Sequence, residues 1–233
     1  MITPRPKQTH VWRYLSFGRF VWLLQTKKLW LSRVDLLGDD WEMRLAGEQL
    51  EHVIASRPIT PLGVVAENPI ERARRIIRNW RLTSFVNCWS AQAHESHALW
   101  RVFCPSAEGV AIRSTLDRLQ ASVGNPIQVQ KVIYERPGRH RRTPTRKDLI
   151  TQKRPMFEYE HEHRLILIED ATPDETVTGI ALDWNPEIWI EAIRIHPEAD
   201  NAFADTVARV VEQYAPGLRD GIQASDMVQR PPF

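Results

Sequence analysis

The chain is poor in the residues that announce the commonest chemistries. It has only two cysteines, Cys88 and Cys104, each within an apolar stretch and neither in a Cys-x-x-Cys pair. That usage argues against a disulfide scaffold and fits two buried thiols in a reducing compartment. No run approaches the ~18 apolar residues that a membrane span requires. The opening Met-Ile-Thr-Pro-Arg-Pro-Lys lacks the apolar centre of a signal peptide. The expectation is a cytoplasmic protein without a membrane partner. No glycine-rich nucleotide loop follows a predicted strand, and neither a Gly-Lys-Ser phosphate loop nor a Gly-x-Ser-x-Gly turn is present. His94-Glu-Ser-His97 spaces two histidines three apart with no matching third ligand. It reads as the polar start of a helix, and no metal is expected.

Charge is also nearly balanced. A net charge of +2 says little about partners, because non-specific binding responds to larger imbalances. An apolar share of 42% with nine Trp is enough for a substantial core, and 26% charged residues is ordinary for a globular chain. A length of 233 residues suits one domain better than two.

Residues 1–10, with Pro4 and Pro6, read as a flexible arm, leaving 11–233 as a single domain. Val11–Leu15 predicts a strand, Phe17–Thr26 a helix, and Leu29–Leu31 a strand that runs into the acidic turn Gly38-Asp39-Asp40-Trp41-Glu42. The stretch 43–80 has helical character interrupted by Pro58, Pro61 and Pro69, and Ile70–Trp80 is its last helix. The cluster Arg72, Arg74, Arg75 and Arg78 on that helix reads as a solvated face.

Further strands are expected at 84–90, 109–112, 129–134, 157–168 and 188–195, with Gly221–Ala224 expected to close the sheet. Helices are expected at 96–103, at 115–122 with Ser114 as N-cap, and at 200–214. Short strands between helices of unequal length predict an α+β fold, with mixed or antiparallel sheets flanked by helices.

The strongest local feature is Phe157-Glu-Tyr-Glu-His-Glu-His-Arg-Leu-Ile-Leu-Ile168. Read as one strand, it projects Glu158, Glu160, Glu162 and Arg164 from a single face. Same-face neighbours lie ~7 Å apart, so mutual repulsion with partial burial raises at least one carboxylate pKa and suits acid–base or cation-stabilising work. A charged edge strand that discourages sheet-to-sheet association explains the same residues equally well.

The second feature is the segment 136–154, read as a basic loop. It holds Arg136, Arg139, Arg141, Arg142, Arg146, Lys147, Lys153 and Arg154, with two prolines and no aromatic residue. Such a segment could follow a phosphate backbone electrostatically, and it could equally be a solvated loop.

In order along the chain, several pieces resemble the bacterial domain-of-unknown-function family 2971. These are Trp12-Arg13-Tyr14, Leu29-Trp-Leu-Ser32 with the acidic turn 38–42, Cys88-Trp-Ser90, Leu99-Trp100, Gly109–Ile112 and Val132-Ile-Tyr134. Lys153 ahead of Tyr159-Glu160-His-Glu162-His-Arg164 completes the set. Two positions depart from the family pattern, Gly38-Asp39-Asp40 for Asn-Asp-Pro and Phe157 for Trp. The resemblance implies a common fold and a site location, and no reaction.

The order Arg13, Ser90, Glu160-x-Glu162 is also similar to that of ADP-ribosyltransferases of the Arg-Ser-Glu type. That similarity implies an ADP-ribosyltransferase-like fold and NAD as substrate. Arg13 would hold the pyrophosphate and Ser90 would orient the ribose. Glu162 would stabilise the oxocarbenium-like charge and Glu160 would serve the acceptor. Arg164 would keep Glu162 ionised, and Tyr14 and Trp12 could stack on nicotinamide, although aromatics beside a strand are more often core residues. A nucleic-acid acceptor bound by Arg136, Arg139, Arg141, Arg142, Arg146 and Lys147 is the matching partner.

Two other readings stand. Asp39, Glu160 and Glu162 could bind Mg²⁺ in a phosphodiesterase with Lys153 at the leaving phosphate, or the chain could be a non-catalytic binding module.

Overall fold

The computed structural model describes residues 8–45, 68–136 and 144–228. Most of the predicted arm, most of the helical stretch 43–80, and Arg139, Arg141 and Arg142 lie outside the described residues. The described chain is α+β, built on one large, mainly antiparallel sheet.

Strand β1 (His10–Ser16) leads directly into helix α1 (Phe17–Thr26), which ends at Lys27 in a left-handed conformation. Strand β2 (Lys28–Arg33) then runs into a 3-10 turn at Val34–Leu36. Asn68 caps helix α2 (Pro69–Leu82), which delivers strand β3 (Ser84–Ser90). Ser96 caps α3 (His97–Phe103), and β4 (Gly109–Thr115) follows. The cap of α4 (Leu116–Ala121) is Thr115 and not Ser114, whose hydroxyl instead donates to the Trp189 carbonyl. The predicted strand 129–134 is two strands, β5 (Gln128–Lys131) and β6 (Ile133–Tyr134).

Two sequence expectations change in the next segment. The C-terminal half of the basic stretch is not a loop. Thr145 and Asp148 form a capping box that starts α5 (Arg146–Thr151), and β7 (Gln152–Lys153) follows. Residues 157–168 are not one strand either. Pro155–Glu160 is a 3-10 helix and His161 takes a left-handed φ of 44°, so β8 begins only at Glu162 and ends at Ile168. Proline initiates the helical turn, and the left-handed residue re-aims the chain before the ladder begins.

The C-terminal part adds β9 (Gly179–Asp183), helix α6 (Pro186–Trp189), β10 (Ala192–Ile195), α7 (Asn201–Tyr214) and β11 (Ile222–Ala224). The expected strand 188–195 begins late because Pro186 opens a helical turn there.

The sheet order is β11-β10-β4-β1-β3-β2-β9, with β8 on the other edge of β3 and β5 beyond it. β1 and β2 thus share one edge of β3. β1 pairs only through Trp12 opposite Ser90, and β2 only through Ser32 and Arg33 opposite Val86 and Phe85. Between those contacts the two strands part, and the sheet forks.

Alternation assigns three apolar clusters to the two faces. On one face Val11, Leu15, Phe85, Trp89, Leu165 and Leu167 pack against Phe20, Leu23 and Leu24 of α1 and Val207 and Val211 of α7. On the other, Trp12 and Tyr14 pack under Leu99 and Trp100 of α3, while Val86 and Ile166 pack under Leu149 and Ile150 of α5. The second face is therefore covered at both sides and open between them, over the fork. Among the described residues, no helix is long and apolar enough to cross a membrane.

Candidate active site

A fork in a sheet leaves backbone groups without ladder partners, and side chains must supply them. Arg13 does so for the Cys88 carbonyl, donating from Nη1 at 2.6 Å. Asn87 does so for the Trp30 carbonyl at 2.8 Å, while its own carbonyl accepts from Trp89 Nε1 at 2.7 Å. Burial pulls the Arg13 pKa below its ordinary value. This is its only hydrogen bond among the described residues, so further guanidinium donors remain available to a ligand.

Arg13 also separates two hollows. A cleft of about 380 Å³ opens on the uncovered face and is lined by Arg13, Tyr14, Ser90, Glu160, Glu162 and Arg164, with Lys153 and Glu42 beside them. A second hollow of about 360 Å³ lies under the start of α1, between Trp22, Trp30, Arg19 and Lys28. Arg13, Arg19 and Ser32 line both. Trp22 and Trp30 meet edge to face at 6.1 Å.

The floor of the cleft is a buried charge network. Arg164, fully inaccessible, donates to both oxygens of Glu42 at 2.7 and 2.9 Å, to both of Glu162 at 2.8 and 3.1 Å, and to the Ile150 carbonyl at 2.6 Å. Lys153 donates to Glu160 at 2.6 Å and to Glu162 at 3.2 Å, and lies 4.0 Å from Glu42. Three carboxylates thus meet two cations in this network, with Arg13 on the wall of the same cleft.

Burial alone would raise the Glu162 pKa, but Arg164 and Lys153, with the Cys88 thiol, hold it down to about 2. Burial raises Glu160 instead, and its single ammonium partner does not reverse that. The Cys88 thiol is pushed far up by burial and by Glu162, so it is a hydrogen-bond donor and a poor nucleophile.

Arg13, Ser90, Glu160 and Glu162 come together, though not as three carboxylates along one strand. Glu158 is exposed and takes no part. Ser90 lies opposite Glu162 in the β3–β8 ladder, and its hydroxyl donates to the Glu160 carbonyl at 2.7 Å. Gln92 donates to the Tyr159 carbonyl at 2.8 Å, so the end of β3 anchors the turn that carries Glu160. Tyr14 is packed edge to face on Trp100 at 4.9 Å and accepts from the Ser96 amide, and Trp12 is buried with its Nε1 on the Gln92 carbonyl. Both are core side chains at the cleft wall and not free stacking platforms.

Asp39 lines the same cleft and is held by Arg154 at 2.8 and 3.3 Å. Lys153 pairs with Glu160 and Glu162, and Arg154 with Asp39, so all three carboxylates are ion-paired within the protein. Arg146 bonds Ser84, Thr83 and the Trp80 and Glu169 carbonyls and so ties the fold together, while Lys147 makes a surface bond to Gln128. Of the predicted nucleic-acid contacts among the described residues, Arg136 and Lys147 are exposed and Arg146 is half-buried. Glu42 carries as much of the network as Glu162, but its partner Arg164 is 122 positions away. Only its place in an acidic turn pointed to it.

No family model and no curated protein matches the chain, so the resemblance to family 2971 gains no support there. Among solved structures, the chain is similar to DarT of Thermus sp. 2.9 in complex with ADP-ribosylated ssDNA. The TM-score is 0.46 at 12% identity, over 99% of this chain and 100% of that one. The same protein in complex with NAD+ gives a TM-score of 0.46 at 11% identity, over 97% and 99%.

Proposed function

We propose that the chain cleaves NAD at its nicotinamide–ribose bond and transfers ADP-ribose to a macromolecular acceptor, or to water. The observation that carries this reading is the convergence of Arg13, Ser90 and an ionised Glu162 on one cleft at the fork of the sheet.

The chemistry follows from the charges. As the C1′–N bond breaks, nicotinamide leaves neutral with the electron pair and the ribose ring becomes an oxocarbenium cation. A preorganised negative charge in a water-poor site stabilises that cation far better than it would in bulk water. Glu162 supplies it, since Arg164 and Lys153 keep it deprotonated and fixed. Lys153 marks the position, because its ammonium already occupies the point where a cation meets Glu160 and Glu162. The acceptor nucleophile then attacks C1′ and gives its proton to Glu160, whose raised pKa suits a general base. Ser90 is a positioning residue that holds the Glu160 turn.

Arg13 and Arg19, at the junction of the two hollows, would hold the pyrophosphate, with the nicotinamide ribose over the carboxylates and adenosine in the second hollow against the Trp22–Trp30 pair.

The test is incubation with NAD, following free nicotinamide. Release that falls by about 10²–10³ in Glu162→Gln, with the circular dichroism spectrum unchanged, is expected. Absence of nicotinamide release from the wild-type chain, with water, protein or nucleic acid as acceptor, overturns the reading.

A further inference from the structure

Helix α2 carries Arg72, Arg74, Arg75, Arg78 and Arg81 against one acid, Glu71. Arg74, Arg78 and Arg81 fall at i, i+4 and i+7 and form one stripe along the helix. Arg74 and Arg78 are exposed. The stripe ends in an open hollow of about 500 Å³ lined by Arg33, Arg78, Arg81, Asp35 and Glu175, none of which lines the carboxylate cleft.

Two features of this hollow point to an anionic ligand. Arg81 is half-buried in the wall of the hollow and adds its guanidinium charge to that of Arg78 there. Arg78 meets Glu175, both largely exposed at 69% and 64%, so a carboxylate already stands where an incoming anion would sit and can be displaced. Glu175 is held there by Arg33, which donates to the carbonyls of Asp174, Glu175 and Val177.

The apolar side chains of α2 do not share the stripe's exposure. Ile77 and Trp80 pack on the core cluster, so the helix has no wedge to insert into a bilayer. From Arg74 to Arg81 the stripe is ~10 Å long at 1.5 Å per residue, which suits successive phosphates on a strand better than a single small anion. The 3-10 turn after β2 joins this hollow to the active cleft. Asp35 lines the hollow and Leu36 the cleft.

We propose that the Arg74–Arg78–Arg81 stripe binds the phosphate backbone of a nucleic-acid strand and leads it across the 34–36 turn to the mouth of the carboxylate cleft. The binding claim stands on the stripe alone, while the direction of travel rests on the transferase reading.

The test is anisotropy of a fluorescein-labelled single-stranded oligonucleotide, as DNA and as RNA, titrated over increasing NaCl without NAD. Each lost phosphate contact on a single strand lowers the slope of log K against log salt by about 0.7. The triple variant Arg74→Gln/Arg78→Gln/Arg81→Gln should therefore lose about 2 of slope. The double Arg74→Gln/Arg78→Gln, confined to the surface, should lose about 1.4, which covers the case of a misfolded triple. Glu175→Gln should tighten binding several-fold, and Arg219→Gln, which removes one charge elsewhere, should leave the slope unchanged.

An unchanged slope in the double variant, or binding to phosphatidylserine vesicles but to neither oligonucleotide, overturns the proposal. NAD hydrolysis measured alongside separates the two claims. Binding without turnover sinks only the transferase, and turnover without binding sinks only the stripe.

Discussion

Arg164 grips Glu42 through two parallel N–H···O contacts of 2.7 and 2.9 Å, and the two residues are 122 positions apart in the chain. Neither side chain has access to solvent beyond 2%. Removing one partner of a buried, hydrogen-bonded ion pair leaves an uncompensated charge, which typically costs ~3–5 kcal/mol. Glu162 remains on Arg164, so Glu42→Ala should fall near the lower end. A urea unfolding series should show at least ~2 kcal/mol lost, and a loss below ~0.5 kcal/mol would contradict the network.

The same network makes stability depend on acid. Glu162 moves from an ordinary 4.5 in the unfolded chain to about 2 in the fold. A depressed folded-state pKa gives stability that is complete above the unfolded value and is lost as pH falls towards the folded one. The window therefore runs from about pH 5 down to about 2, with up to ~3 kcal/mol at stake. Glu162→Gln should flatten the melting temperature of the chain across that window, and a wild-type chain whose melting point does not fall there would argue against an ionised Glu162.

Glu160 titrates in the opposite direction, and activity should report it. Its raised pKa means that the base is lost at a higher pH than an ordinary carboxylate would be. The acidic limb of kcat against pH should therefore lie above the ordinary carboxylate range, and it should vanish in Glu160→Gln. Ser90→Ala removes only the hydroxyl that steadies this turn, so kcat should fall by no more than about tenfold, far less than in Glu162→Gln.

How far the sequence could lead to this site is visible in the same residues. β1, α1 and β3 were legible because alternation or helical spacing agrees there with burial, as at Val11, Trp12, Arg13, Tyr14 and Leu15. The order Arg13, Ser90, Glu162 pointed to side chains that do meet. The stretch 157–168 misled because Glu158, Glu160 and Glu162 alternate as a strand would, while the backbone obeys Pro155 and the left-handed His161. The fork of the sheet, the Arg164–Glu42 grip and the role of Lys153 all depend on long-range pairing, which no local pattern carries. β9 passed unnoticed because five residues ending in Leu-Asp look like loop until Lys28–Ser32 pairs with them.

Arg146 illustrates how a basic run conceals structure. In the sequence it belongs with seven other cations, yet its guanidinium meets Ser84, Thr83 and the carbonyls of Trp80 and Glu169, tying α5 to the start of β3 and the end of β8. Arg146→Ala should destabilise by ~2 kcal/mol, because several half-buried acceptors lose their donor. Its effect on oligonucleotide binding should be small once the variant is compared at a temperature where it is folded. A loss of binding with no loss of stability would restore Arg146 to the nucleic-acid contacts.

The second hollow can be probed without touching a charge. A Cβ added at Gly179 would stand 2.4 Å from the Trp30 ring and 2.5 Å from the Leu31 carbonyl, too close for either to stay where it is. Trp30 is half of the edge-to-face pair that walls the hollow, and it lies far along β2 from the carboxylates. Gly179→Ala should therefore displace the indole and raise KM for NAD while leaving kcat nearly unchanged, since no group at the reacting carbon moves. If adenosine does not occupy this hollow, the variant will lose stability from the overpacked strand and KM will stay where it was.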